Sequence, residues 1–149
     1  MRDVVRDERG SASLEFVTVG LCMLIPLIYL VVALGLIQGQ SLGVEAAARH
    51  AARAISLADN AGTAGARADA VLAAVAVEYG IEPGELGVSV TCVPVASTCP
   101  AAGATIMVTV RTRVALPLVP SVLGLDRIAS VPIEGSSVQK VSRFWGAGP

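Results

Sequence analysis

The sequence predicts an α+β protein in which a long N-terminal helix precedes a second, antiparallel helix and a small antiparallel β-sheet of about three strands. An uncharged run of 22 residues, 16–37, leads into a segment with apolar residues at three- and four-residue steps. Another such segment follows, and after residue 87 the apolar residues alternate with polar ones, as in half-buried strands. With 149 residues, the chain can form one modest domain beside the first helix.

The composition argues against most catalytic and nucleic-acid-binding classes. The formal net charge is -1 and the pI is near 5.8, so there is no electrostatic basis for binding nucleic acid. One histidine and three cysteines cannot form a His/Cys ligand cluster, and no paired-carboxylate or Asp-x-Asp loop pattern occurs. The sequence contains neither the Ser, His and Asp arrangement of a catalytic triad nor a glycine-rich loop for binding phosphate. We therefore expect no enzyme activity, no metal, no cofactor and no nucleic-acid partner.

The uncharged run at residues 16–37 is long enough to cross a membrane. Its 22 residues would extend about 33 Å as a helix, against about 30 Å for the hydrocarbon core. A buried helix of a soluble domain seldom runs this long without charge. A cleaved secretory signal would have an apolar region of about 7–15 residues. We therefore expect a retained span in contact with membrane lipid.

The charges that flank the span predict its orientation. Arg2, Arg6 and Arg9 precede it, whereas only Arg49 and Arg53 lie in the twenty residues after it. The orientation of a span follows the lysine and arginine residues near the membrane. We therefore expect a single-pass protein of the cytoplasmic membrane, with its N-terminus on the cytoplasmic side and its C-terminal domain outside.

Glu15 is a single carboxylate at the threshold of this run. A charge at mid-bilayer costs about 2.5–3.5 kcal/mol, whereas at the edge it can reach the headgroups. A capping box would need Ser or Thr three residues earlier, but Ala12 is there. An interfacial position therefore tolerates Glu15, while local helix chemistry does not explain it.

Residues 10–16 read Gly-Ser-Ala-Ser-Leu-Glu-Phe and precede an apolar helix. This pattern resembles the class III signal of type IV pilin-like proteins. The short charged leader, Arg9 and the Glu15–Phe16 pair are most similar to the TadE/TadF-type minor pilins of tight-adherence (Flp) pili. The resemblance covers the leader and the span. Family members often have a proline early in the span, whereas here Pro26 lies near its middle.

The resemblance implies a processing site and an assembly role. A prepilin peptidase would cut between Gly10 and Ser11, which makes residues 1–10 a cytoplasmic leader and Glu15 the fifth residue of the mature chain. The new amine would be largely cationic, with a pKa of about 7.7–8.0. Glu15, followed by Phe16, would meet the amine of a neighbouring subunit and fix axial register, since an unpaired carboxylate among apolar helices is costly.

The function implied is that of a minor pilin or pseudopilin in tight-adherence pilus assembly. Its partners would be membrane lipid, the prepilin peptidase, other pilin or pseudopilin subunits and the pilus assembly machinery, and it would lie in the cytoplasmic membrane or in a cell-surface pilus. The alternative is an uncleaved, single-pass anchored protein whose external domain binds a ligand or a cell-wall component. A soluble secreted protein, cut after residue 37, is a third possibility.

Residues 11–58 are predicted to form one helix that continues beyond the membrane. A row of small residues at four-residue spacing would let another helix approach closely, would seat the protein's own downstream domain, or would only reflect an alanine- and glycine-rich composition. The residues of this row are Gly35, Gly39, Gly43, Ala47 and Ala51.

Residues 65–149 are predicted to form the external α+β domain. A turn-rich linker at 59–65 leads to a helix at 66–79, which Gly80 should end. Strands are expected at 88–93 and from 105, and the last segment, 128–141, is an edge strand or two short ones because Pro132 and Gly135 interrupt it.

The strand from residue 105 should have two faces, one apolar and one polar. Apolar residues at even positions share one face, and the other face carries Arg111 and Arg113, two charges typical of a solvated surface. The apolar residues are Ile106, Val108, Val110, Val114, Leu116 and Leu118.

Cys92 and Cys99 are predicted to form a disulfide if the domain lies outside the membrane, where conditions are oxidising. Closing a loop of about eight residues would contribute about 2–3 kcal/mol.

Overall fold

The computed structural model describes residues 11–95, 98–119 and 125–146. The chain divides into two compact units, Met1–Gly35 and Leu36–Pro149. The predicted leader, residues 1–10, lies outside the described residues.

The first helix, α1, spans Ser11–Ser56 without a break, as predicted. It passes through Pro26, although proline cannot donate the backbone hydrogen bond to the residue four positions earlier. The predicted end at residue 58 is two residues too late.

The second helix, α2, spans Ala61–Tyr79, so the predicted start at residue 66 is wrong. Asn60 caps the helix: its side chain accepts a hydrogen bond from the Thr63 N–H at 3.0 Å, and the Thr63 hydroxyl accepts one from the Asn60 N–H at 3.2 Å. This reciprocal capping box begins the helix inside the segment whose glycines predicted a linker. Gly80 ends it in the left-handed conformation, with φ 63°, as predicted.

A three-stranded antiparallel sheet follows, and the predicted α+β fold class is confirmed. A 3₁₀ turn at Pro83–Glu85 leads to β1, Gly87–Val93. Strand β2 spans Thr105–Ala115, a short helix α3 spans Leu125–Ile128, and β3 spans Ser130–Lys140. The order is β1-β2-β3, with β2 in the centre. Of the two forms expected for the last segment, the structure has one continuous edge strand.

The inner face of β2 forms the core together with small residues of α1 and α2. Even-numbered β2 residues are buried, as predicted, and Thr112 is buried with them. Leu118 does not share this face: it lies beyond the end of β2 and is 90% exposed, because the strand stops at Ala115 before Pro117. The buried apolar side chains of the helices in this unit are Val44, Ala47, Ala48, Ala51, Ala52 and Ile55 from α1, and Ala64, Ala68, Leu72, Val75 and Ala76 from α2.

Strand β3 touches α1 at the level of the backbone. A Cβ at Gly135 would lie 2.8 Å from the backbone nitrogen of Glu45 and 2.9 Å from the carbonyl carbon of Val44. Only glycine allows this approach, so the glycine that the sequence marks as a strand interruption is a packing residue.

Candidate functional site

The N-terminal part of α1 has an exposed apolar surface. In the most apolar 18-residue window of this helix, only 6% of the residues are buried. The core helix of a soluble protein would be mostly buried. The helix is long and apolar enough to cross a membrane.

Glu15 and Phe16 lie near the start of this apolar surface. Glu15 is the fifth residue of α1 and is exposed, and within residues 11–95, 98–119 and 125–146 its carboxylate has no hydrogen bond or ion pair. Phe16 beside it is 81% exposed. Thr18 differs, because its hydroxyl donates to the Leu14 carbonyl at 2.7 Å. The Thr18 hydroxyl is therefore satisfied within the helix, whereas the Glu15 carboxylate is exposed to other molecules.

The predicted processing site is at the edge of the described chain. Ser11 is the first residue of α1, whereas Gly10 lies outside the described residues. Ser11 and Glu15 are separated by one helical turn, about 6 Å along the axis, and residues four apart lie on the same side of a helix.

The row of small residues divides into two parts. A Cβ at Gly35 or Gly39 would have no other atom within 4 Å. Gly43, Ala47 and Ala51 are buried within the second unit. The last three residues of the row thus pack within the protein's own domain. Helix–helix packing at Gly35 and Gly39 stays a prediction.

The predicted disulfide between Cys92 and Cys99 is present, with Cα atoms 5.8 Å apart. Cys92 is buried at the end of β1, while Cys99 is exposed. Cys22 is a free, exposed cysteine in α1.

The outer face of the sheet is polar and open, and it carries one cross-strand ion pair. Arg111 and Glu134 are partners in the β2–β3 register, and the Arg111 Nε donates to the Glu134 Oε2 at 2.7 Å. This hydrogen bond and the negative charge raise the pKa of Arg111 above its ordinary value. Beside the pair is a depression of about 780 Å³, whose charged lining residues are Glu85, Arg111, Arg113 and Glu134.

The depression has charges of both signs, and Glu134 offsets the positive charge of Arg111. Within the part of the chain that the structure describes, no three His, Cys, Asp or Glu residues are grouped to hold a metal ion. The arrangement fits a polar surface that could hold a small charged molecule loosely.

Two contacts in the second unit were not predicted from the sequence. Tyr79 packs on Gly43, and Gly135 packs on the backbone of α1. Trp145 also packs against the core. The glycines were visible as small residues, but the sequence does not reveal which partner fills the space above each. Comparisons of the chain with protein-family models, with curated proteins and with solved structures found no match.

Proposed function

We propose that this chain is a minor pilin or pseudopilin that takes part in assembling a tight-adherence pilus after a prepilin peptidase cuts between Gly10 and Ser11. The observation that carries the proposal is the exposed Glu15 carboxylate, which has no partner within the described residues and lies at the start of an exposed apolar helix surface. The resemblance of residues 10–16 to a class III signal supports it independently.

The physical basis of assembly is an exchange of environments for α1. In the bilayer, lipid covers the exposed apolar side chains and Glu15 lies near the headgroups. In the assembly, neighbouring helices replace lipid, and the carboxylate needs a cation because an unpaired buried charge costs about 3–5 kcal/mol. The amine that cleavage creates on Ser11 supplies such a cation. The Ser11 amine and the Glu15 carboxylate are about 6 Å apart along the helix axis. A shift of one subunit along this axis relative to its neighbour therefore brings the amine of one beside the carboxylate of the other.

The open part of α1 offers a close-packing surface for this exchange. Gly35 and Gly39 have free space where a Cβ would stand, so another helix backbone can approach there. The last three residues of the row already serve the second unit. Assembly contacts are therefore proposed for the first part of the helix alone.

The substitution Glu15→Gln tests this proposal, with Glu45→Gln as the matched control. Both remove an exposed carboxylate from the same helix, and Glu45 has only the exposed pair with Arg49 at 3.7 Å. In cells that carry a tight-adherence apparatus, we expect both variants to reach the membrane at the wild-type level. Glu15→Gln should reduce the number of surface filaments at least about tenfold, because it removes the proposed ion pair with the amine of a neighbouring subunit. A tenfold loss corresponds to about 1.4 kcal/mol of association free energy. Wild-type filament numbers with Glu15→Gln would overturn the proposal.

An uncleaved, membrane-anchored binding protein is the second candidate. The depression of about 780 Å³ on the outer sheet face, with Arg113 and the Arg111–Glu134 pair in its lining, is the observation that favours it. For that function Glu15→Gln would have no effect, whereas a charge reversal at Arg113 would abolish ligand binding.

A further inference from the structure

Within the described residues, the backbone groups on the outer edge of β1 have no hydrogen-bond partner. The Leu116 N–H, directly after β2, donates to the Ala129 carbonyl at 3.0 Å, so even-numbered β2 residues turn their backbone groups toward β3. Odd-numbered β2 residues therefore face β1, because the direction alternates along a strand. From Thr105 to Arg111, each of them is paired with an odd-numbered β1 residue. The backbone N–H and C=O groups of Val88 and Val90 thus point away from the sheet, where the described chain places no neighbouring strand.

The two edges of the sheet differ in chemistry. The free side of β3 carries Pro132, Glu134 and Lys140, the kinds of residue that prevent a further strand from pairing at an edge. Strand β1 reads Gly-Val-Ser-Val-Thr-Cys-Val and has no charge and no proline. By that contrast, β1 is the edge that is built to accept a strand.

A groove runs along the inner side of this edge. Val88 and Val90 are on the inner face of the sheet, yet they are 40% and 37% exposed because the helices do not cover them. Beside Val88 is a depression of about 340 Å³, lined also by Leu86 and by Asp69, Leu72 and Ala73 of α2. A strand added beside β1 would place alternate side chains over these valines and into this groove.

The charge on the groove indicates the chemistry of the occupant. Asp69 is exposed at the groove and forms no ion pair with any residue in the described ranges. An incoming strand with a lysine or arginine near this end would place a positive charge beside it, whereas an acidic strand would be repelled.

A second copy of the chain fits the edge poorly. The β1 strand of a second copy has no charged residue. Pairing β1 with itself would therefore bring no positive charge to Asp69.

We propose that the free edge of β1 binds an extended segment of another polypeptide, with apolar residues at alternate positions and a basic residue opposite Asp69, by adding a fourth strand to the sheet. The contacts lie in the second unit alone and do not depend on cleavage at Gly10 or on Glu15. Main-chain hydrogen bonds to Val88 and Val90 give the affinity, and the groove gives the specificity.

The test uses the full-length chain in detergent micelles and the synthetic peptide Lys-Val-Thr-Val-Thr-Val-Lys. Amide hydrogen exchange at Val88 and Val90 should slow at least about tenfold with saturating peptide, because both amides gain acceptors. A peptide with the lysines replaced by glutamates should bind at least about fivefold more weakly, and Asp69→Asn should bring that ratio close to one. A peptide with N-methylated alternate amides should not bind.

The matched variants are Val90→Pro on β1 and Val138→Pro on β3. Both remove an N–H that points away from β2, so neither breaks the sheet. We expect Val90→Pro to abolish peptide binding and Val138→Pro to preserve it within about twofold. The proposal would be overturned if the peptide left amide exchange at Val88 and Val90 unchanged, or if both variants lost peptide binding equally. A dimer of the chain that Val90→Pro disperses would also overturn it. Since the readout is peptide binding rather than filament number, its failure is distinct from failure of the pilin proposal.

Discussion

The side chain of Tyr79 lies directly against Gly43, so that a Cβ at Gly43 would be 2.6 Å from the Tyr79 Cγ and 2.8 Å from its Cβ. Tyr79 is the last residue of α2, and only four residues separate the end of α1 from the start of α2. The contact therefore joins the far end of α2 back to α1 and makes the two helices an antiparallel pair. A glycine on a helix costs about 1 kcal/mol relative to alanine, and here it allows the pairing.

Gly43→Ala should destabilise the protein. The added methyl group meets the Cβ and Cγ of Tyr79, atoms close to the backbone that cannot swing away, and overpacking of this kind costs about 1–3 kcal/mol. The gain in helix propensity, about 1 kcal/mol, offsets only part of it. Thermal or denaturant unfolding of the detergent-solubilised protein measures the difference.

Gly39→Ala is the control, one turn earlier in the same row. A Cβ there meets nothing within 4 Å, so the free energy of unfolding should stay the same or rise by up to about 1 kcal/mol. Equal effects of the two alanines would show that Tyr79 does not restrict position 43.

Gly135→Ala tests the contact between β3 and α1. The methyl group would meet backbone atoms of Val44 and Glu45 at 2.8–2.9 Å, so the helix itself would have to move. We expect a loss of about 2–3 kcal/mol in the free energy of unfolding, the upper part of the usual overpacking range.

The comparison for that variant is Gly87→Ala in β1, where a Cβ would lie 3.8 Å from the Arg111 carbonyl oxygen, an ordinary contact. We expect this strand alanine to be tolerated, because it reduces the backbone entropy lost on folding. If Gly87→Ala proved the more harmful of the two, the assigned packing of α1 on β3 would be wrong.

Loss of the disulfide should destabilise the second unit, whereas loss of the free cysteine in α1 should not. In Cys99→Ser the buried Cys92 keeps its place, while the loop closure is lost, at a cost of about 2–3 kcal/mol. Cys22→Ser, at the free cysteine of α1, should leave stability unchanged. Unfolding with and without a reductant checks both, because reductant should lower the stability of the Cys22→Ser variant and have no effect on Cys99→Ser.

The parts of the fold that the sequence could predict are those controlled by local periodicity. The length of α1, the alternation along β2 and the stop at Gly80 follow from residues near each other in the chain. The start of α2 was misplaced because the glycines at 62 and 65 outweighed the cap at Asn60 in the prediction, whereas in the structure the reciprocal bonds with Thr63 are formed.

The roles of the small residues could not be predicted, because they depend on what the rest of the chain places above them. Gly39 and Gly43 are equivalent in the sequence pattern, yet one is open and the other is under Tyr79. Likewise Gly135 looked like a strand breaker, and only the position of α1 shows why a side chain is excluded there. The motif at residues 10–16 is the opposite case, since its interpretation as a processing site rests on the sequence alone.

The most direct measurement is therefore the intact mass of the membrane-extracted protein from cells that contain a prepilin peptidase. We expect a mature chain that begins at Ser11, and an unprocessed chain when Gly10 is replaced in Gly10→Leu. Gly20→Leu, the same change within α1 at a position where a Cβ meets nothing within 4 Å, should be processed normally. A wild-type chain that retains residues 1–10 in the presence of the peptidase would contradict the account.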